Sequence, residues 1–220
     1  MKNYKTITTG KHADFYKEKF YSIQTNIQFL LKRQNIRNIL ITSSNMGEGK
    51  SLTSANTALA FSDRGYKVLL IDADLHRPSL KKYFGRRGMT GLMDYFDGMP
   101  LVEAIDHLED TRVDLLMTGV LPPNPTEWLD SDEMTQLLKE AQAMYDLVII
   151  DAPPILPITD SRLLSAKCDA VLFVALNKKT KKSDVIQAKK YLEMAEANVI
   201  GTILNGVETT NKNREGYYYK

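Results

Sequence analysis

Ser44-Asn45-Met46-Gly47-Glu48-Gly49-Lys50-Ser51 is the stretch on which the reading of this chain turns. Ahead of it stands Asn38-Ile39-Leu40-Ile41-Thr42, a short apolar run with the length of a buried strand. Behind it, Leu52 to Phe61 is alanine-rich and helical in character. Strand, glycine loop, Lys-Ser and helix, in that order, form a phosphate-binding loop. Glycines let backbone N–H groups approach phosphate oxygens, and the helix N-terminus adds unpaired donors and a positive dipole end. Lys50 is placed to reach the β- and γ-phosphates and Ser51 to hold Mg²⁺, with Met46, Gly47, Glu48, Gly49 and Leu52 in the same cradle. Ser44 occupies a position where the general pattern has glycine; serine fits there if the backbone does not need a positive φ.

Outward from this loop the chain alternates. Strands are expected at Ile39–Thr42, Val68–Asp72, Val113–Met117, Leu147–Asp151, Val171–Ala175 and Val199–Leu204. Helices are expected at Asp14–Arg33, with Asp14 as its cap, and at Ser51–Arg64, Glu127–Met144, Ser161–Ala166 and Lys182–Ala195. Several strands are unbroken apolar runs, which favours a mostly parallel sheet covered by helices on both faces. The fold class is therefore α/β, a single P-loop NTPase domain. Three parts are expected: an N-terminal helical segment over 1–35, the core over 36–207, and a mobile tyrosine-containing tail over 208–220.

Composition narrows the function. The chain has 220 residues, 43% of them hydrophobic, enough for one large α/β core. A net charge of +2 gives no bulk electrostatic case for nucleic acid or a membrane surface. A single cysteine, Cys168, fits a reducing cytoplasm and, beside the apolar run Ala170 to Leu176, reads as a small packed residue. The histidines at 12, 76 and 107 have no metal-ligand spacing. No apolar run reaches the ~18 residues of a spanning helix, so membrane association is expected only through a partner.

Two further strands end in acids: Lys67-Val68-Leu69-Leu70-Ile71-Asp72-Ala73-Asp74 and Leu147-Val148-Ile149-Ile150-Asp151-Ala152-Pro153-Pro154. Ligands of open α/β sheets bind outside the carboxyl ends of the strands. Lys50, Ser51, Asp72, Asp74 and Asp151 are thus expected in one crevice, with Asp151 at the Walker B position. A phosphoryl-transfer site needs such a set: a cation, oxygen ligands for Mg²⁺, and an acid to accept a hydroxyl proton.

Gly47-Glu48-Gly49-Lys50-Ser51, Asp72-Ala73-Asp74-Leu75-His76-Arg77-Pro78 and Asp151-Ala152-Pro153-Pro154 together resemble the bacterial tyrosine kinases of capsule and exopolysaccharide systems. The resemblance extends to Thr118-Gly119, Leu121-Pro122-Pro123-Asn124-Pro125-Thr126-Glu127, the Glu18 to Asn26 region and the tail Gly216-Tyr217-Tyr218-Tyr219-Lys220. It implies transfer of the γ-phosphate of ATP to Tyr217, Tyr218 and Tyr219, largely between neighbouring subunits. It also implies Asp72 as the base facing the tyrosine hydroxyl, with Asp74, Asp151 and Ser51 serving Mg²⁺. Asn205 is carried over as an adenine-side residue and Arg77 as a nucleotide contact. A separate membrane adaptor is implied, which would recruit a cytoplasmic chain to the inner face of the membrane. Phosphates on the adjacent tyrosines, about −1.5 to −2 charge each, are expected to loosen self-association.

The chain departs from that family at three positions. His76 stands where the family's Asp-x-Asp-x-Arg has its arginine, and Tyr21 and Gln24 stand at the two arginines of Glu-x-x-Arg-x-x-Arg, with Glu18 retained. A ring built on those arginines is therefore in doubt. Lys178-Lys179-Thr180-Lys181-Lys182 reads first as a solvated loop and second as a contact for an acidic partner. Trp128 reads as packed. Two other classes compete: a partitioning or positioning ATPase, disfavoured because Asn45 replaces its usual early lysine, and a nucleotide-gated adaptor without transfer activity.

Overall fold

The computed structural model describes residues 13–85, 90–121 and 124–207; the tail tyrosines, 217–219, lie outside the described residues. In chain order the elements are α1 (Ala13–Gln34), β1 (Asn38–Ser43), α2 (Lys50–Ser62), β2 (Val68–Asp72), α3 (Leu80–Phe84), α4 (Leu92–Phe96), α5 (Leu101–Ala104) and β3 (Asp106–His107). They continue as β4 (Val113–Leu116), α6 (Pro125–Asp130), α7 (Asp132–Met144), β5 (Leu147–Asp151), α8 (Asp160–Lys167), β6 (Ala170–Leu176), α9 (Lys182–Met194) and β7 (Val199–Asn205).

One seven-stranded sheet carries the chain, in the order β3-β4-β2-β5-β1-β6-β7. All pairings are parallel except the short edge pair β3–β4. Every residue of β1, β2, β4 and β5 is buried, because helices cover both faces. Alternate side chains feed two cores. Leu40, Leu69, Ile71, Val148 and Ile150 meet α4, α5, α7, α8 and α9 on one face. Ile39, Ile41, Leu70, Leu147 and Ile149 meet α1, α2 and α3 on the other. Each fully buried Leu or Ile contributes roughly 1.5–3 kcal/mol relative to exposure. At the β7 edge burial alternates and Leu204 is exposed. Cys168 sits at the α8–β6 junction, where burial first and the Asp169 charge second push its thiol up, as suits a packed residue.

Three expectations need correction. Glu127–Met144 is two helices rather than one. Ser131 is extended (φ −68, ψ 165); its Oγ donates to the Trp128 carbonyl and accepts from Met134 N–H, capping α7. Ser131-Asp132-Glu133 is a helix-start pattern, with acids at the positive end of the dipole. Second, α1 already includes Asp14 rather than starting after it. Third, α3, α4, α5 and β3 were not anticipated. These pieces of two to five residues are too short for periodicity, and α4 is held from outside, by Leu92 and Met93 N–H groups on the Met117 and Thr118 carbonyls.

The departures on α1 turn inward. Tyr21 Oη donates to Asp63 Oδ2 at 2.7 Å, Lys17 pairs with the same carboxylate at 3.2 Å, and Gln24 is buried. Tyr21 therefore ties α1 to the end of α2, Gln24 Nε2 donates to Gln28 Oε1 on α1 itself at 3.0 Å, and Glu18 is exposed. Trp128 stacks on Phe96 with centroids 5.3 Å apart.

Candidate active site

The site lies where β1, β2 and β5 end together. β5 lies between β1 and β2, and the register pairs Asp72 with Asp151 and Ile41 with Asp151. Two carboxylates thus emerge side by side at the mouth of the phosphate loop. Beyond Asp151, Pro153 and Pro154 spend no N–H donors, and the chain is stitched to β1: Thr42 Oγ1 donates to the Pro153 carbonyl at 2.7 Å, and Ile155 and Leu156 N–H donate to the Ser43 and Ser44 carbonyls.

The phosphate loop has its two glycines in the left-handed region, Gly47 at φ 76 and Gly49 at φ 95. Ser44 is not left-handed, which explains why serine is accepted there. Gly49 has a second constraint: a Cβ there would lie 2.0 Å from Asn205 Nδ2. Gly49→Ala therefore meets both backbone strain and a clash. We expect it to cost about 1–3 kcal/mol of stability and to abolish nucleotide binding, checked by thermal unfolding and nucleotide titration. Thermal stability and affinity equal to wild type would show that the loop relaxes freely.

Lys50 is buried and its Nζ donates to Asp74 Oδ2 at 2.7 Å. Burial works against its charge, but the charges of Asp151 and Asp74 outweigh that and raise its pKa. Asp72 Oδ2 accepts from Ser79 and Leu80 N–H at 3.1 Å each, and Asp74 Oδ1 from Arg77 N–H at 3.0 Å. Burial, then the Asp151 charge, pushes the Asp72 carboxyl up to about 8. Burial also pushes Asp151 up to about 6, against the pull of Lys50 and of hydrogen bonds from Ser51 and Ser54. Ser54 Oγ reaches Asp151 Oδ1 at 3.1 Å.

Asp72 Oδ1 and Asp151 Oδ2 are buried without a hydrogen-bond partner among the described residues. Buried carboxylate oxygens are normally satisfied, so these two fit a cation, water or hydroxyl group arriving with a ligand. Among the described residues no three His, Cys, Asp or Glu side chains form a metal cage. An open oxygen such as Asp151 Oδ2 fits Mg²⁺, which keeps several waters and takes one or two protein oxygens plus substrate phosphates.

The remaining sequence-derived residues divide. Lys50, Ser51, Asp72, Asp74, Asp151, Gly47 and Gly49 come together. Glu48 is buried with its carboxylate accepting from Asn45 N–H at 3.0 Å and Thr180 Oγ1 at 2.6 Å, so only its backbone is left for the loop. Asn205 Nδ2 donates to the Glu48 carbonyl at 3.2 Å, which puts β7 against the loop. Met46 and Arg77 are exposed and Leu52 is partly buried. His76 does not enter the crevice in place of the arginine; its Nε2 meets Asp160 Oδ2 at 2.9 Å, while Thr126 Oγ1 donates to Asp160 Oδ1 at 2.7 Å. Sequence reading missed Ser54, Thr180 and Asp160. Ser54 had a signal, one helical turn beyond Lys50; Thr180 and Asp160 had none, being brought in by β6 and α8. A surface groove of about 670 Å³ between α4–α5 and α7 contains none of these residues.

A family model described as ParA, NUBPL iron-transfer P-loop NTPase, matches residues 35–218. The tyrosine-protein kinase YwqD of Bacillus subtilis is 37% identical over 202 residues, covering 91% of this chain and 85% of that protein. The putative tyrosine-protein kinase CapB of Staphylococcus aureus is 34% identical, covering 92% and 89%. Some relatives are longer, and the chain spans only 27% of them. Among solved structures, the kinase domain of the Escherichia coli tyrosine kinase ETK aligns with a TM-score of 0.89 at 32% identity, covering 100% of this chain and 87% of that one.

Proposed function

From the premise that this chain belongs to the bacterial tyrosine kinases, a P-loop protein-tyrosine kinase family, we propose that it transfers the γ-phosphate of ATP to its own tail tyrosines, 217–219, between subunits. The observation that carries this is the convergence of Lys50, Asp72, Asp74 and Asp151 at one end of the sheet, with two carboxylate oxygens left open.

The residues divide the work as follows. Backbone N–H groups of Gly47 to Ser51 hold the phosphates. Lys50 exchanges Asp74 for the phosphates and neutralises charge as the γ-phosphorus leaves its bridging oxygen. When bound, Mg²⁺ would draw charge from the β- and γ-phosphates; Ser51, Asp151 and Asp74 are the residues to hold it, directly or through water. Asp72, with Oδ2 tied to two backbone donors, presents Oδ1 to the tyrosine hydroxyl. The hydroxyl oxygen bonds to phosphorus as the phosphorus–oxygen bond to ADP breaks, and its proton passes to Asp72. A carboxyl raised toward 8 is a better match for a phenol of pKa near 10 than an ordinary aspartate. On this reading Asn205, whose Nδ2 donates to the Glu48 carbonyl, serves the adenine side, and the exposed Arg77 is a further nucleotide contact.

Control of capsule or exopolysaccharide synthesis is the process this activity would serve, with a membrane adaptor completing the site and drawing a cytoplasmic chain to the membrane's inner face. Among the described residues no helix is long and apolar enough to cross a membrane. On this reading transfer between subunits proceeds without a ring built on arginines at 21 and 24, positions held here by a Tyr21 tied to Asp63 and a buried Gln24.

The test is intact mass after incubation with ATP and Mg²⁺, alone and with the cytoplasmic segment of a candidate adaptor. Steps of one to three phosphates mapped to Tyr217, Tyr218 and Tyr219 are expected. Mixing a Lys50→Met acceptor with a chain lacking 208–220 should place phosphate on the acceptor. ATP hydrolysis with no mass step, adaptor present, would instead favour a positioning-type ATPase.

A further inference from the structure

The short loop between β6 and α9 is fastened to the phosphate loop. Leu176 N–H donates to Thr180 Oγ1 at 2.8 Å, and that hydroxyl donates onward to Glu48 Oε1 at 2.6 Å. Lys179 and Thr180 N–H both return to the Leu176 carbonyl, at 3.1 and 2.9 Å. On the same side, Asn45 Nδ2 donates to Asp184 Oδ2 on α9 at 2.8 Å. Within this clasp Lys178 has φ 60, a left-handed conformation that costs a non-glycine residue about 1 kcal/mol. Strain of this kind persists where the surroundings over-determine it.

The result of this tight turn is the position of Lys179. Its Nζ lies 3.4 Å from where a Cβ on Gly47 would be, over the crown of the phosphate loop. Among the described residues no carboxylate pairs with it. The exposed side chain of Lys179 thus brings an ammonium beside a loop whose own N–H groups and helix N-terminus are already positive. Such a crowd of donors is satisfied by an anion with several oxygens.

We propose that Lys179 is a second nucleotide-binding cation, which contacts the polyphosphate from outside the loop while Lys50 contacts it from within. The proposal rests on the nucleotide-binding reading of the loop and adds a residue from a different strand end. Thr180 and Glu48 act as positioning residues for it: their hydrogen bond fixes the height of the ammonium above Gly47. The basic run from Lys178 to Lys182 thereby has a member with a place in the site.

The experiment titrates a fluorescent non-hydrolysable ATP analogue, with Mg²⁺, into wild type, Lys179→Ala, Lys179→Arg, Thr180→Val and the surface control Lys189→Ala. Loss of a charge-assisted contact should weaken Lys179→Ala about tenfold and flatten the salt dependence of its Kd. Lys179→Arg should restore most of the affinity and Lys189→Ala should match wild type. Thr180→Val should weaken binding in the same direction, with its thermal midpoint measured alongside. Equal affinity of Lys179→Ala and wild type would overturn the role of Lys179 and leave the nucleotide site standing. No binding by wild type would overturn both.

Discussion

Replacing Lys50 by Met should leave the mass of the chain unchanged after incubation with ATP and Mg²⁺, a loss of about 10³-fold or more in phosphate transfer. The same change should make the nucleotide-free protein sensitive to alkaline pH. Lys50 is the cation against which Asp74 is held at 2.7 Å and whose proton the Asp151 and Asp74 charges keep in place. Methionine fills a similar volume but leaves three buried acids without a counter-charge. Breaking a buried pair by removing one partner costs roughly 3–5 kcal/mol. That cost depends on how far the acids are ionised. Asp151 and Asp72 have folded values of about 6 and about 8, so both hold protons at pH 5.5 and both are driven to ionise by pH 8.5. The loss of Asp74's partner is felt at both pH values, so the gap in thermal midpoint between wild type and Lys50→Met should be present at pH 5.5 and larger at pH 8.5. A gap of equal size at both pH values would mean that Lys50 contributes packing rather than charge.

Asp72→Asn should do the opposite to stability while also removing activity. The carboxyl is raised from 3.8 to about 8 in the folded protein, by burial first and by the Asp151 charge second. A folded value above the unfolded one means that the native state binds the extra proton. Its stabilising share is complete below about pH 4 and is lost as pH rises through 8. Asparagine keeps the shape, offers its carbonyl oxygen to the Ser79 and Leu80 N–H groups, and never ionises. The variant should gain about 1–3 kcal/mol over wild type at pH 8.5 in the absence of nucleotide, with the gain shrinking as pH falls and vanishing below about pH 4. Phosphate transfer should fall about 10²- to 10⁴-fold if Asp72 is the proton acceptor, as proposed. Thermal unfolding across pH and initial rates of phosphorylation read the two effects separately. A variant less stable than wild type at pH 8.5 would show that the carboxyl is not held under electrostatic strain. The contrast with Lys50→Met is the useful one: both variants lose transfer, and they part in their response to alkali.

Most of the sheet was legible without coordinates. Val68–Asp72 and Leu147–Asp151 begin and end where the apolar runs do. The outer limits of the Ser51–Arg64 and Lys182–Ala195 helices differ from the structure by two residues or fewer. Long apolar runs and helical stripes are visible because burial on a two-sided sheet imposes a local pattern. The helices α3, α4 and α5 were not legible, since fragments of four or five residues owe their shape to contacts such as Leu92 N–H on the Met117 carbonyl. The break at Ser131 was written in a serine followed by two acids, but the apolar stripe running on both sides hid it.

By itself the sequence determined which residues would gather: a glycine loop ending in Lys50-Ser51, and acids placed at the last position of two apolar strands. Strand ends on a parallel sheet share one edge, so topology turns three distant segments into one crevice. Only the tertiary structure decided how those groups stand toward one another. The register that sets Asp72 beside Asp151, the pairing of Lys50 with Asp74, the retreat of His76 to Asp160 and the reach of Lys179 over Gly47 all join residues on different elements. Local sequence carries no information about such distances; they follow from the packing of whole strands and helices, and with them the charges that shift each acid.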